Sequence, residues 1–141
     1  TTVRDLHDQI IHQDRLERFG RSNPRKNVPI EYRGAGKKLI GNYNGFDIVA
    51  PEDTEALFEW SNFMSNCISG YGKKAADGHA LLYSVEQGGV MVANMELDPM
   101  RGDIRQLLGK YNNSLDPALS QSIKGAVKTI WPKANVDSGW Q

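Results

Sequence analysis

Residues 80–111 read ALLYSVEQGGVMVANMELDPMRGDIRQLLGKY, and this stretch decides the fold. It holds three runs rich in apolar and β-branched residues, at 80–86, 90–97 and 104–111. Runs of this length bounded by glycine or proline read as strands. Gly88-Gly89 joins the first two, and Pro99-Met100-Arg101-Gly102 joins the last two. Links this short suit only antiparallel neighbours, so the three strands form a meander. In the second run a regular strand places Met91, Ala93, Met95 and Leu97 on one face. If the second link is a symmetric turn, Glu96 stands opposite Gln106 and Asn94 opposite Leu108. Asn94, Glu96 and Gln106 then make a polar patch on the face away from the apolar one.

Working outward, residues 39–49 read as two short strands around Asn44-Gly45, a hairpin dipeptide because both residues tolerate positive φ. Pro51-Glu52-Asp53 opens a helix, with proline in the first turn and acids at the positive end. Ala56, Trp60, Phe63 and Cys67 fall on one helical stripe, with Leu57, Met64 and Ile68 beside it. The Met91/Ala93/Met95/Leu97 face is the expected floor for this helix. Residues 73–77 suit a short helix closed by Gly78. Asp116-Pro117 opens a last helix to about Trp131, stopped by Pro132. Upstream, residues 2–19 have helical spacing after Thr2 and Asp5, a capping pair. Residues 21–29 and 34–38 read as a loop or irregular arm, and residues 134–141 as a loosely ordered tail.

The expected fold class is therefore α+β: an antiparallel sheet, a three-stranded meander plus an N-terminal hairpin, packed by helices. A chain of 141 residues suits one domain, with residues 1–38 as helix and basic arm, 39–131 as core and 132–141 as tail. Hydrophobic residues at 39% and charged residues at 24% fit a folded protein rather than a disordered one. No apolar run approaches a membrane span, and Thr1-Thr2-Val3-Arg4-Asp5 lacks the pattern of a secretory signal. With Cys67 as the one cysteine, no internal disulfide can form, so a cytoplasmic setting is expected.

The formal net charge of +0 hides an uneven distribution. Residues 1–38 carry nine Lys/Arg against five Asp/Glu, residues 39–100 two against nine, and residues 101–141 six against three. Either the basic flanks neutralise the acidic middle, or they offer a surface to an anionic partner. The candidate nucleic-acid contacts are Arg21, Arg25, Lys26, Arg33, Lys37 and Lys38.

Gly34-Ala35-Gly36-Lys37-Lys38 fails as a phosphate loop. Glu31 stands where the first glycine belongs, no Ser/Thr follows Lys37, and a strand rather than a helix is expected next. His7 and His12 are five apart, off the spacing that converges two imidazoles on a metal, so no metal or cofactor is expected. Cys67 has two readings. If the helix from Pro51 runs through it, the thiol is inert packing near a helix C-terminus. If that helix stops near Met64, Ser65 or Asn66 caps a new helix at Cys67 and the thiolate is favoured, with His79 the nearest base. Glu96 is a candidate general base within its polar patch.

Several short motifs here occur in a familiar order. They are Met64-Ser65-Asn66-Cys67-Ile68 before Gly70-Tyr71, Gly78 before the strand at 80–85, then Val92-Ala93-Asn94-Met95-Glu96-Leu97 and Gln106-Leu107-Leu108-Gly109-Lys110-Tyr111-Asn112. Residues 60–112 thereby resemble the PcfJ-like family, found in conjugative plasmids, phages and other mobile elements. The resemblance implies a setting in horizontally transferred DNA and longer relatives, but no settled activity. It marks Cys67, Tyr71, Glu96, Gln106 and Asn112 as positions to test.

Three functional readings follow. One is an accessory domain associated with nucleic acid. A second is an enzyme using Cys67, or Glu96 with Gln106 and Asn112. A third is an interaction or regulatory module, with an apolar patch around Trp131 and Trp140 for a protein partner of the mobile element.

Overall fold

The computed structural model describes residues 27–66 and 68–137. The expected helix at 2–19, His7, His12, Cys67, Trp140 and the basic residues Arg21, Arg25 and Lys26 lie outside them.

Five antiparallel strands follow one another in chain order across one sheet. They are β1 (Gly41–Tyr43), β2 (Phe46–Val49), β3 (Leu81–Gln87), β4 (Val90–Leu97) and β5 (Ile104–Leu108). The β1–β2 hairpin turns at Asn44-Gly45 as expected, though only Gly45 adopts positive φ. Between β3 and β4, Gly88 and Gly89 both have positive φ, the backbone of a primed two-residue turn whose twist matches the strands.

Two bulges set which side chains share a face. One falls between Val85 and Glu86 of β3, where Val85 pairs with Ala93 but Glu86 pairs with Met91. Val92 is thus the extra residue. It packs on the core with Ala93, Met95 and Leu97, while Met91 turns to the other face and its sulfur accepts from Asn94 Nδ2 at 3.4 Å. Strict alternation had placed Met91 with Ala93, and one inserted residue reverses it. The second bulge falls between Glu96 and Leu97, where Glu96 pairs with Gln106 but Leu97 pairs with Ile104. Arg105 is the residue left over.

The helices cover both faces. On the main apolar face, Ala93, Met95, Leu97, Tyr83 and Ile104 are buried with Ile123, Ala126, Val127 and Trp131 of the last helix, α4 (Pro117–Ile130), and its C-cap. Each large aliphatic side chain so buried contributes about 1.5–3 kcal/mol. Asp116 caps α4, accepting from Leu119 N at 3.1 Å. The expectation that residues 51–68 lie on this face is incorrect. Helix α2 (Thr54–Met64) packs on the opposite one, where Leu57 joins Leu82, Ala80, Ile68 and Ile30. Its buried stripe is Leu57, Phe58, Ser61 and Met64, whereas Phe63 is exposed. The face turned inward runs through Leu57 and Met64, expected beside the main stripe, and the helix begins at Asp53, whose side chain accepts from Ala56 N at 2.8 Å.

Other expectations change too. Residues 34–38 are not irregular but form a short helix, α1 (Gly34–Lys38), which packs Gly36 against Leu81 and Tyr83 on the main face. Tyr83 donates its hydroxyl to Gly36 O at 2.6 Å. Strand β2 stops pairing at Val49, so Leu82 has no strand neighbour on that side. The Tyr32 hydroxyl takes its place, accepting from Leu82 N at 2.6 Å and donating to Leu82 O at 2.9 Å. Burial pushes both tyrosine hydroxyls well above the ordinary range, so they act as neutral hydrogen-bonding groups. The tail is pinned as far as Asp137. Ala134 and Val136 are buried, and Ile104 N donates to Asn135 O at 3.0 Å. Trp131, expected on an exposed patch, is 9% exposed and belongs to the core.

Candidate functional site

The face under α2 carries polar side chains in the middle of the sheet, where an apolar floor is the rule. Arg105 and Gln106 of β5, Tyr71 and Asp98 interlock around Glu96. Arg105 Nη1 donates to Glu96 Oε2 at 3.2 Å, and Gln106 Nε2 donates to Glu96 Oε1 at 3.2 Å. Gln106 Nε2 also donates to the Tyr71 hydroxyl at 3.0 Å. The other guanidinium nitrogen of Arg105 reaches Asp98 Oδ2 at 3.2 Å. Glu96 is 5% exposed, so its charge needs these partners to be tolerated.

The bulge explains the arrangement. A regular strand would point Arg105 away from Gln106. As the extra residue, Arg105 instead joins Glu96 and Gln106 on one side. The turn between β4 and β5 then fastens it. Asp98 Oδ1 accepts from Met100 N at 2.8 Å and Arg101 N at 2.9 Å, while Oδ2 holds Arg105. The Arg101 backbone N–H, with the Met100 N–H and the Arg105 guanidinium, holds the Asp98 carboxyl below its usual range.

A second pin fixes the opposite wall. Helix α2 ends at Met64 with Ser65 in the left-handed conformation. Asn66 Oδ1 then accepts from Ile68 N at 3.1 Å, starting the 3-10 turn Ile68–Tyr71 that leads into α3 (Gly72–Ala76). Asn66 Nδ2 donates to Asn94 Oδ1 at 2.8 Å, docking this connection on β4. Helix α2 therefore ends at Met64 and does not run on through this connection. Ser84, the cross-strand partner of Asn94, has a buried hydroxyl without a partner among the described residues.

Between these walls lies a cavity of about 440 Å³. Its polar lining is Asn66, Tyr71, Asn94, Glu96, Arg105, Gln106 and Asn112, and Ile68, Leu82 and Leu108 are among its apolar walls. Asn112 comes from the 3-10 turn Lys110–Asn112, where Tyr111 and Asn112 both adopt φ of 60°. An aromatic residue rarely takes that conformation, which costs about 1 kcal/mol or more. Cations rest on the aromatic rings of this face. Lys74 Nζ lies 5.3 Å from the Tyr71 ring centre, and Lys110 Nζ lies 5.1 Å from Phe63 and 5.4 Å from Tyr111. Such contacts contribute about 0.5–1 kcal/mol at exposed positions.

The structure thus brings Glu96, Gln106, Asn112 and Tyr71 to one cavity. It does not bring Arg33, Lys37 or Lys38 there, because α1 packs on the opposite face of the sheet. Sequence reasoning missed Arg105, Asn66, Lys74 and Lys110. For Arg105 a signal existed: Ile104-Arg105-Gln106-Leu107-Leu108 breaks alternation with two polar and then two apolar residues, the pattern of a bulge. No group of three or more His, Cys, Asp or Glu suited to a metal occurs among the described residues. None of their helices is long and apolar enough to cross a membrane.

The model of the PcfJ-like protein family matches residues 1–123. No curated protein and no solved structure matches the chain.

Proposed function

The chain belongs to the PcfJ-like family, and on that premise we propose that it is an accessory domain of a mobile element that holds single-stranded nucleic acid across the mouth of the cavity. One observation carries the reading. Two exposed lysines rest on aromatic rings near a cavity rich in amide side chains: Lys74 on Tyr71, which lines it, and Lys110 on Phe63 and on Tyr111, the neighbour of the lining residue Asn112. Lysines supply phosphate contacts and aromatic rings supply sequence-tolerant stacking, the usual pairing in single-strand binders. The basic residues expected to bind, Arg33, Lys37 and Lys38, lie away from this face and form at most a second contact.

The enzyme reading has one supporting feature, a buried carboxylate in a cavity. Yet Glu96 already accepts from Arg105 and Gln106, one bond on each oxygen. Those two bonds hold the carboxylate as a fixed acceptor in the wall of the cavity, so recognition is the better fit.

The experiment is fluorescence anisotropy with a labelled single strand at about 50 and 200 mM salt. Each phosphate contact contributes about −0.7 to the slope of log K against log salt. The double variant Lys74→Gln/Lys110→Gln should flatten the slope by about 1.4. No binding at low salt overturns the proposal. A slope changed only by Arg33→Gln/Lys37→Gln/Lys38→Gln would move the interface to the other face.

A further inference from the structure

We infer that the cavity receives one unpaired base, and that it selects bases bearing an exocyclic amino group over thymine or uracil. This rests on the nucleic-acid reading above and specifies what that site recognises. A volume of about 440 Å³ lies in the range of small-molecule pockets, which begins at roughly 300 Å³. Its apolar walls, Ile68, Leu82 and Leu108, are each less than a tenth exposed and suit the faces of a planar ring.

The polar groups decide which ring. Gln106 Nε2 gives one proton to Tyr71 and the other to Glu96. The oxygen of the same amide is then an unspent acceptor among the described residues. Glu96 accepts two hydrogen bonds, and a carboxylate has room for about four. The interior therefore offers these acceptors beside the donors of Tyr71, Arg105 and Asn112. Adenine N6 and cytosine N4 donate to acceptors, whereas thymine places its O4 oxygen at the equivalent position, oxygen against carboxylate. Enzymes that flip a base out of its stack read its Watson–Crick edge, on which these amino groups also lie.

Charge orders the ligand. Inside, the Glu96 carboxylate pairs with the Arg105 guanidinium, which leaves no net positive charge to hold a phosphate. Outside, Lys74 and Lys110 are uncompensated by any ion pair among the described residues. A nucleotide is thereby oriented with its base inward and its phosphate at the rim.

The test compares labelled single-stranded homopolymers of dC, dA and dT, each about 12 nucleotides long to fill one typical site, at a single salt concentration. The native protein should bind dC and dA at least about fivefold more tightly than dT, the lower end expected for one good base contact. Glu96→Gln, which replaces an acceptor by an amide able to donate to O4, should tighten dT and reduce the preference below about twofold. If Glu96→Gln loses its far-UV circular dichroism, Gln106→Leu, which removes the unspent acceptor, should at least halve the preference. Equal binding of all three strands by the native protein overturns the inference and leaves the single-strand reading standing. A preference that survives in a folded Glu96→Gln and in Gln106→Leu also overturns it. Absence of binding to any strand at low salt removes both.

Discussion

Replacing Gly102 by alanine tests the turn on which the cavity depends. Gly102 has φ of +73°, a conformation that costs a non-glycine residue about 1–2 kcal/mol. A methyl group there would also overlap the Trp131 ring, with Cε3 only 2.7 Å away and two ring atoms closer still. An indole cannot yield at its face, so either Trp131 leaves its seat or the turn opens. Trp131 is 9% exposed, and re-exposing half of a tryptophan's roughly 200 Å² would cost about 2–3 kcal/mol. The two effects together destabilise by about 3–5 kcal/mol, and at this chain length that lowers the melting temperature by roughly 10–15 °C. Gly125→Ala is the matched control. It lies in α4 with nothing within 4 Å of the new methyl group, so it should stabilise by about 0.5–1 kcal/mol. Thermal unfolding followed by circular dichroism and tryptophan emission measures both. A Gly102→Ala protein melting within about 2 °C of the parent would refute the described packing of the turn on Trp131. Because Asp98 in that turn holds Arg105, the same variant should also weaken oligonucleotide binding.

Two further predictions concern single groups. Tyr32→Phe removes the hydroxyl that stands in for a strand beside Leu82, leaving a buried N–H and C=O unpaired, so urea unfolding should show a loss of about 1–3 kcal/mol. Asp98 titrates below its usual range in the folded protein, chiefly through the Arg101 N–H. The folded state then binds fewer protons than the unfolded one. The stabilisation is present above the ordinary carboxylate value near 4 and is lost as pH falls through the lower folded value. The urea midpoint should fall more steeply as pH drops below about 4 in the parent than in Asp98→Asn; equal slopes would contradict this role for Asp98.

Much of the sheet was legible because its signals are local. Gly88-Gly89 and Asn44-Gly45 fix two hairpins, and the symmetric-turn argument pairs Glu96 with Gln106 and Asn94 with Leu108, as observed. What escaped the sequence came from single inserted residues and from choices between faces. Val92 and Arg105 are bulges, of which only the one at Arg105 shows in the sequence, as a break in alternation. The first moved Met91 off the core and the second brought Arg105 into the polar cluster. Which face of the sheet a helix covers is likewise a tertiary choice. Residues 54–64 have a strong stripe, but the face holding Ala93 and Met95 is taken by α4. Helix α1 contains two glycines among its five residues, and one of them, Gly36, packs closely against Leu81 and Tyr83, a tertiary contact that local propensity does not reveal. In the site, Glu96 and Gln106 could be paired from register alone. Tyr71, Asn66 and Asn112 reach the cavity through turns with left-handed residues, which spacing does not reveal.

The most direct measurement is an NMR titration of the isotopically labelled protein with a short dC strand, following the side-chain amide signals of Asn66, Asn94, Gln106 and Asn112 and the backbone of residues 71–74 and 110–112. The account predicts saturable shifts concentrated on those groups, with α1 and the α4 surface unmoved. Shifts confined to Arg33, Lys37 and Lys38, or none at all at low salt, would contradict it.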